Sequence, residues 1–323
     1  AQSLEEGALG LSSGLFYTPG SYASPAELAA LGEVVAKKGG LYATHIRNEG
    51  RRFKEAEEEA LAVARSSGVP VHISHLKLAS RDHWGQAEQW LAYLEAVRAE
   101  GIDLSWDQYP YTAASTTLDA AVPPQFHAGG SKALQQRLQD PLERTRIARA
   151  ILSDTDSDWE NLTVQSGWDN IVLSSHPSQP DLVGRTIADL AAARQADPLE
   201  TALDLILETE AQALVVDFCM DSRDVATILR HPSTMVVTDA EALAIDGPLS
   251  MGTPHPRAYG TYPRILGRYV REQALLTWEE AIHKMTGQPA ARMGLRDRGS
   301  VREGAFADLV IFNPDTVADA ATY

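Results

Sequence analysis

A chain of 323 residues, 44% hydrophobic and 22% charged, has the composition of an ordinary soluble globular protein and the length for one large domain and a small one. Its formal net charge of −16, with no long basic run, argues against nucleic acid and anionic membrane surfaces as partners. No apolar stretch approaches the roughly 20 residues that span a bilayer, and the single cysteine, Cys219, rules out an internal disulfide framework and suits a reducing, cytoplasmic compartment.

The chain begins at Ala1 without a methionine and stops at Tyr323 without a closing signal. It reads as a segment of a longer protein, with a leader peptide left open. Residues 7–17 read as a strand of small residues ending in Tyr17. Inside it, "GLSSG" at 10–14 fits the G-x-S-x-G nucleophile elbow, with Ser12 as the nucleophile. That elbow needs a helix to leave at once, and Pro19-Gly20 is turn chemistry instead, so Ser12 is not expected to attack anything.

A helix over 25–38 follows, signalled by Ser24 as N-cap, Pro25 in the first turn and Glu27 three residues after the cap, and ended by Gly39-Gly40. Then come a strand at 41–47, an amphipathic helix at 53–66 stopped by Gly68, a strand at 69–75, a helix at 85–100 and a strand at 102–109. Repeated βα units of this length predict a parallel sheet. No G-x-G-x-x-G and no Walker motif follows any strand, which disfavours a nucleotide-binding doubly wound sheet.

Residues 112–160 break the rhythm with Pro123-Pro124, Gly129-Gly130 and a polar run at 154–160, and read as an insertion or lid. Short strands are predicted at 162–165 and 170–174, a helix at 198–208, strands at 213–219 and 234–238, and a helix at 277–285 opened by a Thr277–Glu280 capping box. The tail at 299–304 and 307–312 reads as two strands about a glycine turn. Residues 1–290 are thus read as the main domain, and 291–323 as part of a small β-domain.

His45 and His75 each end a strand, one βα unit apart. Parallel sheets build their sites at that edge, so the two imidazoles can meet at one metal ion. His72, three residues before His75 in the same strand, is expected to face the outer helices as a structural residue. Asp239 closes the apolar stretch Thr234-Met235-Val236-Val237-Thr238, where a carboxylate can take a proton from water or simply terminate the strand. Lys77, two residues after His75, and Arg257, in the Pro- and Gly-rich "HPRAYG", suit a substrate carboxylate. Cys219 reads as a small buried hydrophobe.

Taken in order, "GALGLSSGLFYTPG", "GGLYATHIRNEG", "VPVHISHLK", "HPRAYGTYPRILGRYVRE" and "ADLVIFNPDT" resemble the D-aminoacylase (N-acyl-D-amino-acid deacylase) family of the amidohydrolase superfamily. The resemblance implies a TIM-like (β/α)8 metal-hydrolase barrel with a small β-sandwich domain, holding one or two zinc ions and hydrolysing the amide bond of N-acyl-D-amino acids. It implies that His45 and His75 ligate the metal from the family's fifth and sixth barrel strands. Asp239 corresponds to the aspartate that is general base and acid, and Tyr17 to the tyrosine that steadies the oxyanion. Lys77, Tyr109 and Arg257 correspond to residues that hold the substrate carboxylate. The family's early His-x-His and its bridging Cys or Glu would lie before Gly7, so this chain reads as a barrel lacking its first strands. Hydrolysis of a cyclic amide or carbamate, and a catalytically silent barrel subunit, are the alternative readings.

Overall fold

The computed structural model describes residues 1–153, 159–250 and 252–323. Five parallel strands, β1 (Gly10–Gly14), β2 (Leu41–His45), β3 (Val71–Ile73), β4 (Leu104–Gln108) and β8 (Thr234–Val236), lie side by side in the order β1-β2-β3-β4-β8. Helices Pro25–Lys37, Phe53–Ser67 and Ala87–Ala99 connect the first four. Local chemistry sets their limits. The Ser24 side chain accepts the Glu27 N–H at 3.2 Å and starts the first helix. Gly68, at φ 70°, ends the second in the left-handed conformation that only glycine adopts without cost.

Alternation along the strands divides the sheet into two faces. Tyr42, Val71, Ile73, Leu104 and Trp106 join Leu61, Leu94 and Val97 of the helices in one apolar core. The opposite face carries small and polar side chains, among them Ser12, Ala43, His72 and Ser105, which are register neighbours across four strands. Ser12 therefore sits within a strand, with no helix leaving it. Among the described residues, β1 and β8 are the edges of this five-stranded parallel sheet.

Because β4 pairs directly with β8, everything between them is an excursion from the parallel sheet. It contains a second, antiparallel sheet in the order β5-β7-β6, from β5 (Ala114–Thr117), β6 (Ile171–Ser175) and β7 (Leu214–Asp217). Helices Ser131–Gln139, Pro141–Leu152, Ile187–Arg194 and Pro198–Glu208 pack on it through Leu134, Leu138, Ile147, Leu190, Leu205 and Ile206. The excursion thus continues far past residue 160; of the polar run 154–160, residues 154–158 lie outside the described residues.

Three expected strands are absent among the described residues. Leu162–Gln165 is one helical turn, because the Asn161 side chain accepts the Thr163 and Val164 N–H groups and caps it. The tail at 299–312 forms no strand, and Val310 and Ile311 are 87% and 97% exposed. A strand needs a neighbouring strand for its backbone groups, and no described strand pairs with this segment. No described helix is long and apolar enough to cross a membrane.

Candidate metal centre and substrate cavity

The carboxyl ends of parallel strands all point to one edge of the sheet, and there the candidate residues meet. Gly14 is the register partner of His45, which brings the β1 exit, and with it Tyr17, beside that histidine. His75 follows β3 by two residues, Tyr109 follows β4 by one, and Asp239 follows β8 by three. These residues line one cavity of about 120 Å³ together with Lys77, Arg257, Glu49, Glu160 and Asp217. All seven expected residues (Tyr17, His45, His75, Lys77, Tyr109, Asp239 and Arg257) face it.

Within the cavity, ligand atoms of His45, His75 and Asp239 lie within 4.8 Å of one another. The nitrogens that face each other are Nδ1 of His45 and Nε2 of His75. His75 and Asp239 both have left-handed backbones, at φ 44° and 47°. Such backbones cost energy in non-glycine residues and concentrate where a side chain must be aimed. Burial, followed by the neighbouring His75, lowers the pKa of His45 and favours its neutral, metal-binding form. Two imidazole nitrogens are ligands of the kind catalytic zinc takes, and the Asp239 carboxylate stands beside them, so these residues fit the metal that the sequence resemblance implies.

Around this group lies a layer the sequence did not reveal. Glu49 Oε1 is 2.8 Å from Nδ1 of His75 and accepts from Lys77 Nζ at 2.7 Å. Lys77 Nζ also stands 2.6 Å from the same Nδ1, so Glu49 and Lys77 together hold that side of the His75 ring and leave Nε2 on the side that faces the site. Burial alone would raise the Glu49 pKa, but Lys77 and His75 outweigh it and hold the group well below the carboxylate range. The Glu49 backbone N–H in turn donates to Glu160. Burial, with the charge of Glu49, pushes Glu160 up to about 8. Glu49 had a readable signal, a carboxylate just past the β2 exit in "HIRNEG"; Glu160 had none, standing 111 residues further on.

His72 departs from expectation. It shares the polar face with Ser105 and does not face the helices: Nδ1 lies 2.7 Å from Ser105 Oγ and Nε2 lies 2.7 Å from Asp107 Oδ2. The strand ends at Ile73 and the chain turns, so counting alternation from 72 to 75 fails. The other oxygen of Asp107 accepts the His75 N–H at 2.5 Å, which ties His72 to the placement of His75.

At the opposite wall, Arg257 opens the helix Arg257–Arg264 and donates to Asp239 at 2.6 Å. Its guanidinium lies 4.7 Å from the Tyr109 ring centroid, and Lys77 Nζ lies 5.6 Å from it. The Tyr109 hydroxyl is buried and has no partner among the described residues. A buried donor without an acceptor is costly, and the ring that carries this one lies beside two cations. Tyr17 is 43% exposed, its hydroxyl is 2.9 Å from Thr116 Oγ1, and local desolvation raises its pKa, so it carries its proton at neutral pH. Asp217, 1% exposed, is pushed up to about 7 by burial. Cys219 is buried among Tyr109, Val225 and Ile265, as a small hydrophobe would be, and burial raises its thiol pKa.

An α/β sheet with two imidazoles, a carboxylate and a polar cavity at its carboxyl edge defines a class, the metal-site hydrolases built on parallel strands. The comparisons narrow it: the chain matches the Amidohydrolase family model over residues 2–322. It belongs to the amidohydrolase family. It is 36% identical to N-acyl-D-glutamate deacylase and 35% identical to D-aminoacylase, both of Alcaligenes xylosoxydans xylosoxydans, over 100% of this chain and 55% of each relative. Its fold superposes with TM-score 0.77 and 34% identity on N-acyl-D-glutamate deacylase from Bordetella bronchiseptica, solved with zinc and a phosphonate inhibitor, covering 99% of this chain and 56% of that one. A D-aminoacylase structure matches with TM-score 0.75 and 35% identity, with the same shares covered. The chain therefore spans little more than half the length of these relatives.

Proposed function

We propose that this chain carries the catalytic edge of a zinc-dependent deacylase that hydrolyses N-acyl-D-amino acids to a carboxylic acid and a D-amino acid. The observation that carries the reading is one cavity that gathers His45, His75 and Asp239 together with the cations Lys77 and Arg257 and the Tyr109 hydroxyl, which has no partner among the described residues. The zinc-bound deacylase relative supports the same metal and bond.

A zinc ion held by His45 and His75 supplies Lewis-acid polarisation and a lowered water pKa. The remaining work belongs to side chains. Lys77 and Arg257 attract the α-carboxylate, and Tyr109 donates its free hydroxyl to it. That fixes one substituent of the chiral carbon and orients the amide. Asp239 accepts the proton of the attacking water and returns it to the leaving nitrogen. Tyr17 donates a hydrogen bond to the carbonyl oxygen as charge develops on it. With the carboxylate and the carbonyl both anchored, an L substrate would direct its side chain elsewhere.

The test is amine release from paired N-acetyl-D- and N-acetyl-L-amino acids, with and without a chelator. The reading predicts release from the D series alone, lost with chelator and restored by zinc. Equal turnover of both series, or turnover only of an uncharged cyclic amide, would overturn it.

A further inference from the structure

Phe16, Tyr17 and Glu160 also line a second cavity of about 180 Å³, whose wall includes Asp119, Val122 and His127. Given the proposed function, the amide carbonyl lies at Tyr17 and the α-carboxylate at Tyr109, so this space adjoins the bound substrate. The second cavity holds the carboxyl groups of Asp119 and Glu160, of which Glu160, pushed up to about 8, keeps its proton at neutral pH, and among the described residues no lysine or arginine lines it. His127 does not offset Asp119 through a hydrogen bond: its Nε2 donates to the Val122 carbonyl at 3.1 Å, and its Nδ1 stands 3.8 Å from Asp119. The two side chains are mostly buried, 16% and 13% exposed, so solvent screens Asp119 weakly.

We propose that this second cavity receives the side chain of the D-amino acid and that Asp119 excludes acidic ones, so the chain acts on N-acyl-D-amino acids with uncharged or basic side chains. The inference rests on the deacylase reading and separates this chain from relatives whose names specify D-glutamate and D-aspartate. The physical cause is direct: an acidic side chain brought beside Asp119 in a partly desolvated cavity meets a like charge, and among the described residues no lysine or arginine lines the cavity to pair with it. An apolar side chain finds Phe16 and Val122 there instead.

The experiment keeps the acyl group as acetyl and varies the side chain. kcat/KM is measured on N-acetyl-D-leucine, N-acetyl-D-lysine, N-acetyl-D-glutamate and N-acetyl-D-aspartate, for the intact protein and for Asp119→Asn, with Asp119→Ser as a second variant should the first fail to fold. The wild type should favour the leucine and lysine substrates over glutamate by at least about tenfold. Asp119→Asn should narrow that gap several-fold by raising the glutamate value. Comparable wild-type rates on glutamate and leucine would overturn the proposal and move the side chain to the larger cleft beyond Phe16, which holds Arg47 and Arg52. An unchanged ratio in both Asp119 variants would overturn the role of that residue. Absence of turnover on every D substrate would instead sink the deacylase reading itself.

Discussion

Glu49 Oε1 lies 2.8 Å from Nδ1 of His75 and leaves Nε2 on the side that faces the site. The same carboxylate pairs with Lys77, whose Nζ also stands 2.6 Å from that Nδ1.

Removing this contact should loosen the metal more than the fold. Glu49→Ala is expected to lower zinc affinity by about 10–100-fold, because a ligating histidine depends on its outer partner for tautomer and basicity. Glu49→Gln, which keeps an acceptor, should lose less. Zinc retention against a graded chelator measures both, and unchanged retention in Glu49→Ala would remove Glu49 from the centre.

The Tyr109 hydroxyl has no partner among the described residues, so its removal should not destabilise the protein. Tyr109→Phe is expected to melt at or above the wild-type temperature. It should raise KM by roughly 10–100-fold, the worth of a hydrogen bond to a charged group. A fall in melting temperature with KM unchanged would show that the hydroxyl serves the fold.

Asp217 makes stability depend on pH. Its folded pKa, about 7, stands above the ordinary value of 3.8, so the folded state binds the proton more tightly than the unfolded chain. Its stabilising contribution is complete below about 3.8 and is lost as pH rises through about 7. Asp217→Asn should therefore match the wild type near pH 4. By pH 8 it should become the more stable of the two by a few kcal/mol at most, since each tenfold difference in proton affinity is worth about 1.4 kcal/mol. Paired denaturant titrations at the two pH values measure the difference, and an offset independent of pH would contradict the assignment.

The helix that backs the candidate site can be tested separately. Leu94, fully buried between Ala87–Ala99 and the parallel sheet, should cost about 2–5 kcal/mol when cut to alanine. The cavity residues lie on other elements, so metal affinity should survive at temperatures where Leu94→Ala is still folded.

The parallel half of the molecule was legible because its signals are local. Caps at Ser24 and Thr277, the stop at Gly68 and runs of apolar residues marked its helices and strands. The strand-end positions of His45, His75 and Asp239 followed from the same rhythm, and the structure brings them together. What stayed hidden depends on distant partners or on small changes of backbone. The antiparallel sheet joins residues about 100 apart, Ala114 with Asp217. Leu162–Gln165 is too short for its period to separate helix from strand, and only the Asn161 cap decides. His72 was misplaced because a left-handed turn at His75 interrupts the alternation.

The most direct test of the central claim is the turnover of Asp239→Asn on an N-acyl-D-amino acid, with zinc content measured on the same sample. If Asp239 moves the proton between water and the leaving nitrogen, kcat falls by about 10²–10⁴-fold while His45 and His75 keep zinc bound. Wild-type turnover in this variant would contradict the account.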